Sequence, residues 1–334
     1  MAVHDDGNAM VIQAGKVKGG ILPYVLIART DHWFKNVFML VGAVLAYFYY
    51  GGSVSAGPWW WIPLGFFATC IVASSNYVIN EILDARTDLD HPVKKNRPIP
   101  SGRVNLKIAY AEWIFLGVLG LAMARMINLP FFLTAAALLV MGMLYNIRPI
   151  RTKEIPYLDV LSESINNPLR LMLGWYAVVA GDVPPVSLLG SYWMVGAFFM
   201  ASKRFAEYRS IGDKKVAAAY RSSFSFYDEN RLLVSMFFYA CGSALLLGVF
   251  IIRYHLELIL SVPLMAGFFS VYMYVTLKDD SPVQNPERLY REKGLMIYLL
   301  ICVLVFVGLM FVEIPALYEI FNIESSRVPA LWTF

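Results

Sequence analysis

The feature that most constrains this chain is a series of long stretches almost without charge. Val41–Tyr50, Ile62–Val78, Ala109–Met123 and Leu295–Val312 are the clearest. With their flanks they approach the roughly 20 residues that a helix needs to cross a bilayer core. Inside hydrocarbon every backbone amide must find its partner within the segment, so such stretches fold as helices. Composition agrees: 58% of the 334 residues are hydrophobic and only 16% are charged, whereas soluble domains carry about 25% charged residues. A soluble globular fold is excluded, and the expected class is an all-α, polytopic membrane protein.

Apolar runs between polar punctuation give nine candidate helices, near 34–52, 59–83, 107–126, 130–147, 157–180, 186–203, 232–252, 257–277 and 295–317. Turn-forming breaks separate them, among them Gly51-Gly52-Ser53, Asn128-Leu129-Pro130, Gly181-Asp182-Val183-Pro184-Pro185 and Arg253-Tyr254-His255. Tails over 1–20 and 318–334 flank a transmembrane domain over 21–317. Of the 28 Lys and Arg residues, 24 fall on one side of such a bundle and only Arg125, Arg253 and Arg327 on the other, with Arg170 inside the fifth helix. That asymmetry places the N-terminus and the four long loops in the cytoplasm of a multi-pass protein. A bacterial inner membrane is the expected location. Trp59, Trp60 and Trp61 suit an interfacial belt. Cys70, Cys241 and Cys302 lie in apolar stretches without metal-ligand spacing and read as packing residues. The first thirty residues hold no cleavable apolar segment. The basic balance is explained by topology, so no nucleic-acid partner is expected.

The chemistry starts at the end of the second helix. Asn80, Asp84 and Asp88 stand at i, i+4 and i+8, which stacks them on one helix face at steps of about 6 Å. Glu81 lies beside them and Asp90 follows. Like charges one turn apart repel, and oxygen ligands so spaced suit Mg²⁺, which takes a few carboxylates with substrate phosphates and water. At the junction of the fourth and fifth helices Asp159 and Glu163 repeat the spacing after Arg148, Arg151 and Lys153, with Tyr157 just ahead. Asn166, Asn167 and Arg170 follow deeper in the span. An intramembrane arginine needs a partner, for which Glu163 or a substrate phosphate is the expectation.

The bland alternative makes the first cluster a solvated loop start and pairs Asp159 with Lys153. Two acidic clusters on one membrane face, each close to Lys and Arg, weigh against it. Basic residues follow both: His91, Lys94, Lys95 and Arg97 after the first cluster, and Lys203, Arg204 and Arg209 after the sixth helix. Carboxylates that hold a metal and cations that neutralise oxygens suit a Mg²⁺-chelated diphosphate. Lys214 and Lys215 are explained by topology alone.

These motifs resemble the UbiA superfamily of intramembrane prenyltransferases. Its NDxxDxxxD motif and later RP-x-x-x-G element are matched by Asn80-Glu81-x-x-Asp84-x-x-x-Asp88 and Arg97-Pro98-Ile99-Pro100-Ser101-Gly102, and its second motif by Asp159-x-x-x-Glu163. The resemblance covers roughly residues 20–317. It implies a nine-helix bundle with a cytoplasmic-side cavity, a catalytic set of Asp84, Asp88, Asp159 and Glu163, and Mg²⁺ held by these with Asn80 and Glu81. A narrower set of strings, His91-Pro-x-Lys94-x-x-Arg97-Pro98, Trp33-x-Lys35-Asn36 and Lys203-Arg204-x-Ala206-Glu207, resembles the decaprenyl-phosphate phosphoribosyltransferases. Glu81 and Glu163 replace the usual Asp, and Leu89 stands where that branch often has Arg.

The branch implies transfer of a 5-phosphoribosyl group from phosphoribosyl diphosphate to a polyprenyl phosphate in the membrane. Lys35, Asn80, Lys94, Arg97, Tyr157, Asn167, Arg170, Lys203 and Arg204 are then the candidate substrate contacts. Two other readings compete. A conventional prenyltransferase would use the same metal site with a prenyl diphosphate and an aromatic or other acceptor, but would need an apolar tunnel instead of extra cations. A transporter or non-catalytic lipid-phosphate binder would place its charges at the midplane, whereas these sit at helix ends.

Overall fold

The computed structural model describes residues 20–50, 58–89, 94–284 and 286–321. Gly51-Gly52-Ser53, Asp90, His91 and most of both tails lie outside them. Among the described residues every regular element is a helix. The chain divides into two compact units, residues 1–184 with 218–223, and residues 185–217 with 224–334.

The first unit holds α1 (Leu22–Ile27), a 3₁₀ segment over Thr30–Phe38, α2 (Met39–Tyr50), α3 (Trp61–Asp88), α4 (Leu106–Arg125), α5 (Leu129–Asn146), a 3₁₀ turn over Thr152–Glu154, α6 (Leu158–Ser164) and α7 (Asn166–Tyr176). Asn105 caps α4 and Asn128 caps α5, their side chains accepting from the amides of Lys107 and Phe131. α3 packs against α4 and α5, and α2 against α7. The α2–α7 crossing needs two glycines. A Cβ on Gly42 would enter the Leu171 carbonyl, and one on Gly174 the Met39 carbonyl. Two backbones this close are what small residues permit between membrane helices. The core between them is built from Met39, Ala43, Ala46, Leu173, Trp175 and neighbours, all buried.

The second unit contains α8 (Val186–Ile211), most of α9 (Lys214–Tyr220), α10 (Glu229–Tyr254), a 3₁₀ segment over Leu256–Ser261, α11 (Val262–Thr276), α12 (Lys293–Leu309) and α13 (Pro315–Ile320). α8 and α10 pair along their lengths, tied by Ser191 Oγ donating to the Ser243 carbonyl at 3.0 Å.

Among the described residues five helical stretches are long and apolar enough to cross a membrane: α3, α4, α5, α10 and Leu256–Thr276. The apolar α12 is shorter. Several elements depart from the sequence expectation. α3 runs on to Asp88 and α8 to Ile211, because charge marks where a helix leaves lipid and does not stop the helix. The expected helix 157–180 is broken at Ile165. Pro168 has no N–H to give the Ser164 carbonyl, so the i→i−4 ladder cannot run through. The expected helix 295–317 stops at Leu309 and restarts at Pro315.

Candidate functional site

The acidic column lies at the end of α3 and is a true column, since the helix continues through Asp88. Each member has a defined partner. Asn80 Nδ2 donates to Asn146 Oδ1 at 2.6 Å. Asp84 Oδ1 accepts from Arg151 Nη2 at 3.0 Å and from Lys153 Nζ. Asp88 Oδ2 accepts from Arg97 Nη1 at 2.6 Å. All these partners use one oxygen per carboxylate. Asn80 Oδ1, Asp84 Oδ2 and Asp88 Oδ1 have no hydrogen-bond partner among the described residues, so three hard oxygen donors stand at helical spacing on one face.

The turn after α5 delivers the cations. Arg151 and Tyr157 flank it with left-handed backbones, φ 31° and φ 64°. Such conformations in non-glycine residues persist only where surrounding contacts hold them. Lys153 is 8% exposed. Burial lowers its pKa from the ordinary lysine value, and Asp84 beside it acts in the opposite direction. Its Nζ also donates to Asn146 Oδ1 at 2.9 Å. The Asp159–Lys153 pair belongs to the bland alternative; Lys153 instead crosses to Asp84.

α6 carries the second acidic pair. Asp159 is fully buried, and its Oδ2 accepts from Ser223 Oγ at 3.1 Å and Arg221 Nη1 at 3.4 Å. Glu163 Oε2 accepts from Tyr145 OH at 2.9 Å. Arg170 Nε donates to Asn36 Oδ1 at 3.0 Å, and Asn36 Nδ2 reaches Cys70 Sγ at 3.3 Å. Asn167 lies in the first turn of α7.

Other expected residues fall further from the column. Glu81 is off the Asn80–Asp84–Asp88 face and buried, and its Oε1 accepts from the Ile99 amide at 3.1 Å, so it fixes the 97–99 loop. Lys94 Nζ lies 5.2 Å from the Tyr220 ring centroid, and Lys35 Nζ 5.8 Å from that of Phe34. Lys203 and Arg204 belong to the second unit. They lie within α8, not in a loop, and both pair with Glu207, at 3.9 and 3.1 Å. Asn146, Tyr145, Arg221 and Ser223 are the partners that sequence reasoning missed. Asn146, a polar residue ending an apolar span, carried a weak signal; the other three carried none.

Among the described residues no three of His, Cys, Asp and Glu come together as a ready-made metal cage. The donor set nevertheless suits Mg²⁺, which keeps several waters and uses one or two carboxylates with substrate phosphates. The uncommitted oxygens of Asn80, Asp84 and Asp88 are of that kind.

The model of the UbiA prenyltransferase family matches residues 36–301. The decaprenyl-phosphate phosphoribosyltransferase of Mycolicibacterium smegmatis is 28% identical over 229 residues, 66% of this chain and 67% of that protein. The enzyme of the same name from Corynebacterium glutamicum is 30% identical over 190 residues, 54% of this chain and 52% of that protein. The matches thus span between half and two thirds of these relatives. A UbiA homolog from Archaeoglobus fulgidus, solved bound to DMAPP and Mg²⁺, shares the fold with a TM-score of 0.65 at 19% identity, over 87% of this chain and 100% of that one.

Proposed function

This chain belongs to the UbiA prenyltransferase family, which makes it a membrane-embedded transferase, and we propose that it moves a 5-phosphoribosyl group from phosphoribosyl diphosphate to a polyprenyl phosphate. The observation that carries the reading is the gathering of cations at the α3 column. Arg97, Arg151 and Lys153 all converge on Asp84 and Asp88, and Arg151 also pairs with Glu154; a divalent cation on Asp84 and Asp88 would release some of the Arg and Lys N–H groups to phosphate oxygens. A donor with a further phosphate suits them. The sequence relatives named decaprenyl-phosphate phosphoribosyltransferase support transfer of the same group.

In this reading Asn80, Asp84 and Asp88 hold Mg²⁺, with Asp159 and Glu163 closing the site from α6. Bound Mg²⁺ would supply neutralising charge to the diphosphate as it leaves. The protein's own groups do the rest by position. Arg97 and Lys153 keep hold of their carboxylates and turn their remaining N–H groups to diphosphate oxygens, and Arg170, held by Asn36, presents its remaining N–H groups to the substrate; Lys35, Lys94, Tyr157 and Asn167 line the approach. The bond from ribosyl C1 to the diphosphate breaks with its electron pair leaving on the diphosphate, and a lipid-phosphate oxygen bonds to C1. Preorganised charge and orientation account for the rate, not covalent chemistry by the protein. The topology that goes with it has nine crossings over 21–317, the N-terminus in the cytoplasm and a bacterial inner membrane as host.

The test is direct. Purified full-length protein with Mg²⁺ receives labelled phosphoribosyl diphosphate plus polyprenyl phosphate, or prenyl diphosphate plus an aromatic acid. Labelled phosphoribosyl lipid from the first pair alone is the expected result. Product from the second pair alone replaces the assignment with a conventional prenyltransferase, the reading that the DMAPP bound to the A. fulgidus homolog favours.

A further inference from the structure

Asn146 ends α5, is 3% exposed, and stands at the meeting point of the column and its cations. Its amide orientation follows from its neighbours. The Gly142 carbonyl, 2.9 Å away, can only accept, so Nδ2 faces it. The Lys153 ammonium can only donate, so Oδ1 faces that side. Asn80, 2.6 Å from the same Oδ1, must therefore present its own Nδ2 there. With Nδ2 committed, Asn80 Oδ1 turns to the face it shares with Asp84 and Asp88. Asn80 would otherwise be free to rotate its amide and offer a donor to a cation.

A second observation fixes the position of α5. The amide of Asn76, one turn before Asn80, occupies the space that a Cβ on Gly142 would fill, and its Nδ2 donates to the Leu138 carbonyl at 2.9 Å. A side chain at 142 would displace the Asn76 amide, one turn from where Asn146 meets Asn80.

We propose that Asn146 is a positioning residue: it sets the amide of Asn80 oxygen-outward as a ligand for a divalent cation, and through Lys153 sets the carboxylate of Asp84. The inference rests on the metal reading above and adds a residue that reading does not contain. Groups behind a metal's direct ligands typically change metal affinity by about 10- to 100-fold when removed.

The experiment measures Mn²⁺ binding by electron paramagnetic resonance, with inorganic pyrophosphate present, to detergent-solubilised full-length protein. Asn146→Leu should weaken Mn²⁺ binding about tenfold. Asn146→Asp, which keeps an acceptor toward Asn80 and Lys153, should stay within about threefold of the parent. Thermal unfolding midpoints and gel-filtration profiles show that the variants are folded. In an Asn80→Ala background the Asn146→Leu loss should shrink, since its main target is gone. Undiminished binding by folded Asn146→Leu, or full additivity with Asn80→Ala, overturns the inference. Failure of the parent protein to bind Mn²⁺ with pyrophosphate would instead overturn the metal reading itself, so the two failures are distinct.

Discussion

The acidic segments of α3 and α6 carry the same kind of side chain at the same one-turn spacing, yet they keep different company. On α3, Asp84 and Asp88 each meet a cation from a separate stretch of chain, and each retains one oxygen without a partner among the described residues. On α6, Asp159 is fully buried behind Ser223 and Arg221, which return from 64 and 62 residues further along. Glu163 is tied to Tyr145 of α5. Spacing decides which face a carboxylate occupies; neighbours decide whether that face can exchange ligands. On the proposed reading α3 grips a ligand that comes and goes, while α6 serves as much to hold the unit together.

The contrast predicts unequal losses. Asp84→Asn removes the charge at the centre of the column and should lower turnover by about 10²–10³-fold, as loss of a principal electrostatic stabiliser does. The change to Ala should in addition lower stability by roughly 2 kcal/mol, because Lys153, buried, would be left without its carboxylate and Arg151 would keep only Glu154. Asp159→Asn keeps an acceptor for Ser223 and should cost only about tenfold in turnover. Labelled-lipid assays and thermal unfolding of both variants measure this. Equal losses at 84 and 159 would break the distinction and make α6 as much a ligand donor as α3.

Much of α3 was legible from sequence and little of its company was. The i, i+4, i+8 register of Asn80, Asp84 and Asp88 needs only a continuous helix, and the charge of the flanking loop is what a membrane exit looks like. Where the helix ends is a different question. α3 and α8 both continue past the first charged residues, so Lys203 and Arg204, expected in a loop, stand on α8 beside Glu207. The partners of the carboxylates are tertiary facts: Lys153 lies 69 residues from Asp84, and nothing local marks which of several lysines and arginines will reach it. Local chemistry explains the break at Ile165, since Asn166-Asn167-Pro168 inside an apolar run is a stop signal, but hydropathy alone reads through it.

A milder change sharpens the comparison on the α3 side. Arg97→Lys keeps the charge beside Asp88 but loses the planar fork, so one group can no longer hold Asp88 and a phosphate oxygen together. The expected outcome is a KM for the diphosphate donor raised about fivefold with kcat nearly unchanged, read from initial rates against donor concentration. A fall in kcat at unchanged KM would mean that Arg97 acts on the reacting centre and not on binding.

The smallest effect tests whether the broken helix matters. In the chain as it stands, Pro168 cannot bond the Ser164 carbonyl, so α6 ends and α7 starts afresh at Asn166, and Arg170 is set by α7 while Asp159 is set by α6. Pro168→Ala supplies the missing N–H and favours one continuous helix. Ile165 already has a helical backbone, φ −58° and ψ −22°, so continuity would turn Asp159 and Glu163 only slightly relative to Arg170, pulling on the Ser223 and Tyr145 bonds at one end and the Asn36 bond at the other. Those contacts resist, so the rotation should be partial and turnover should fall by about threefold. The unfolding midpoint should move little, since helix continuity is gained as tertiary contacts are strained. If turnover is unchanged, the break only accommodates packing around Pro168, and α6 and α7 act as one rigid piece in spite of it.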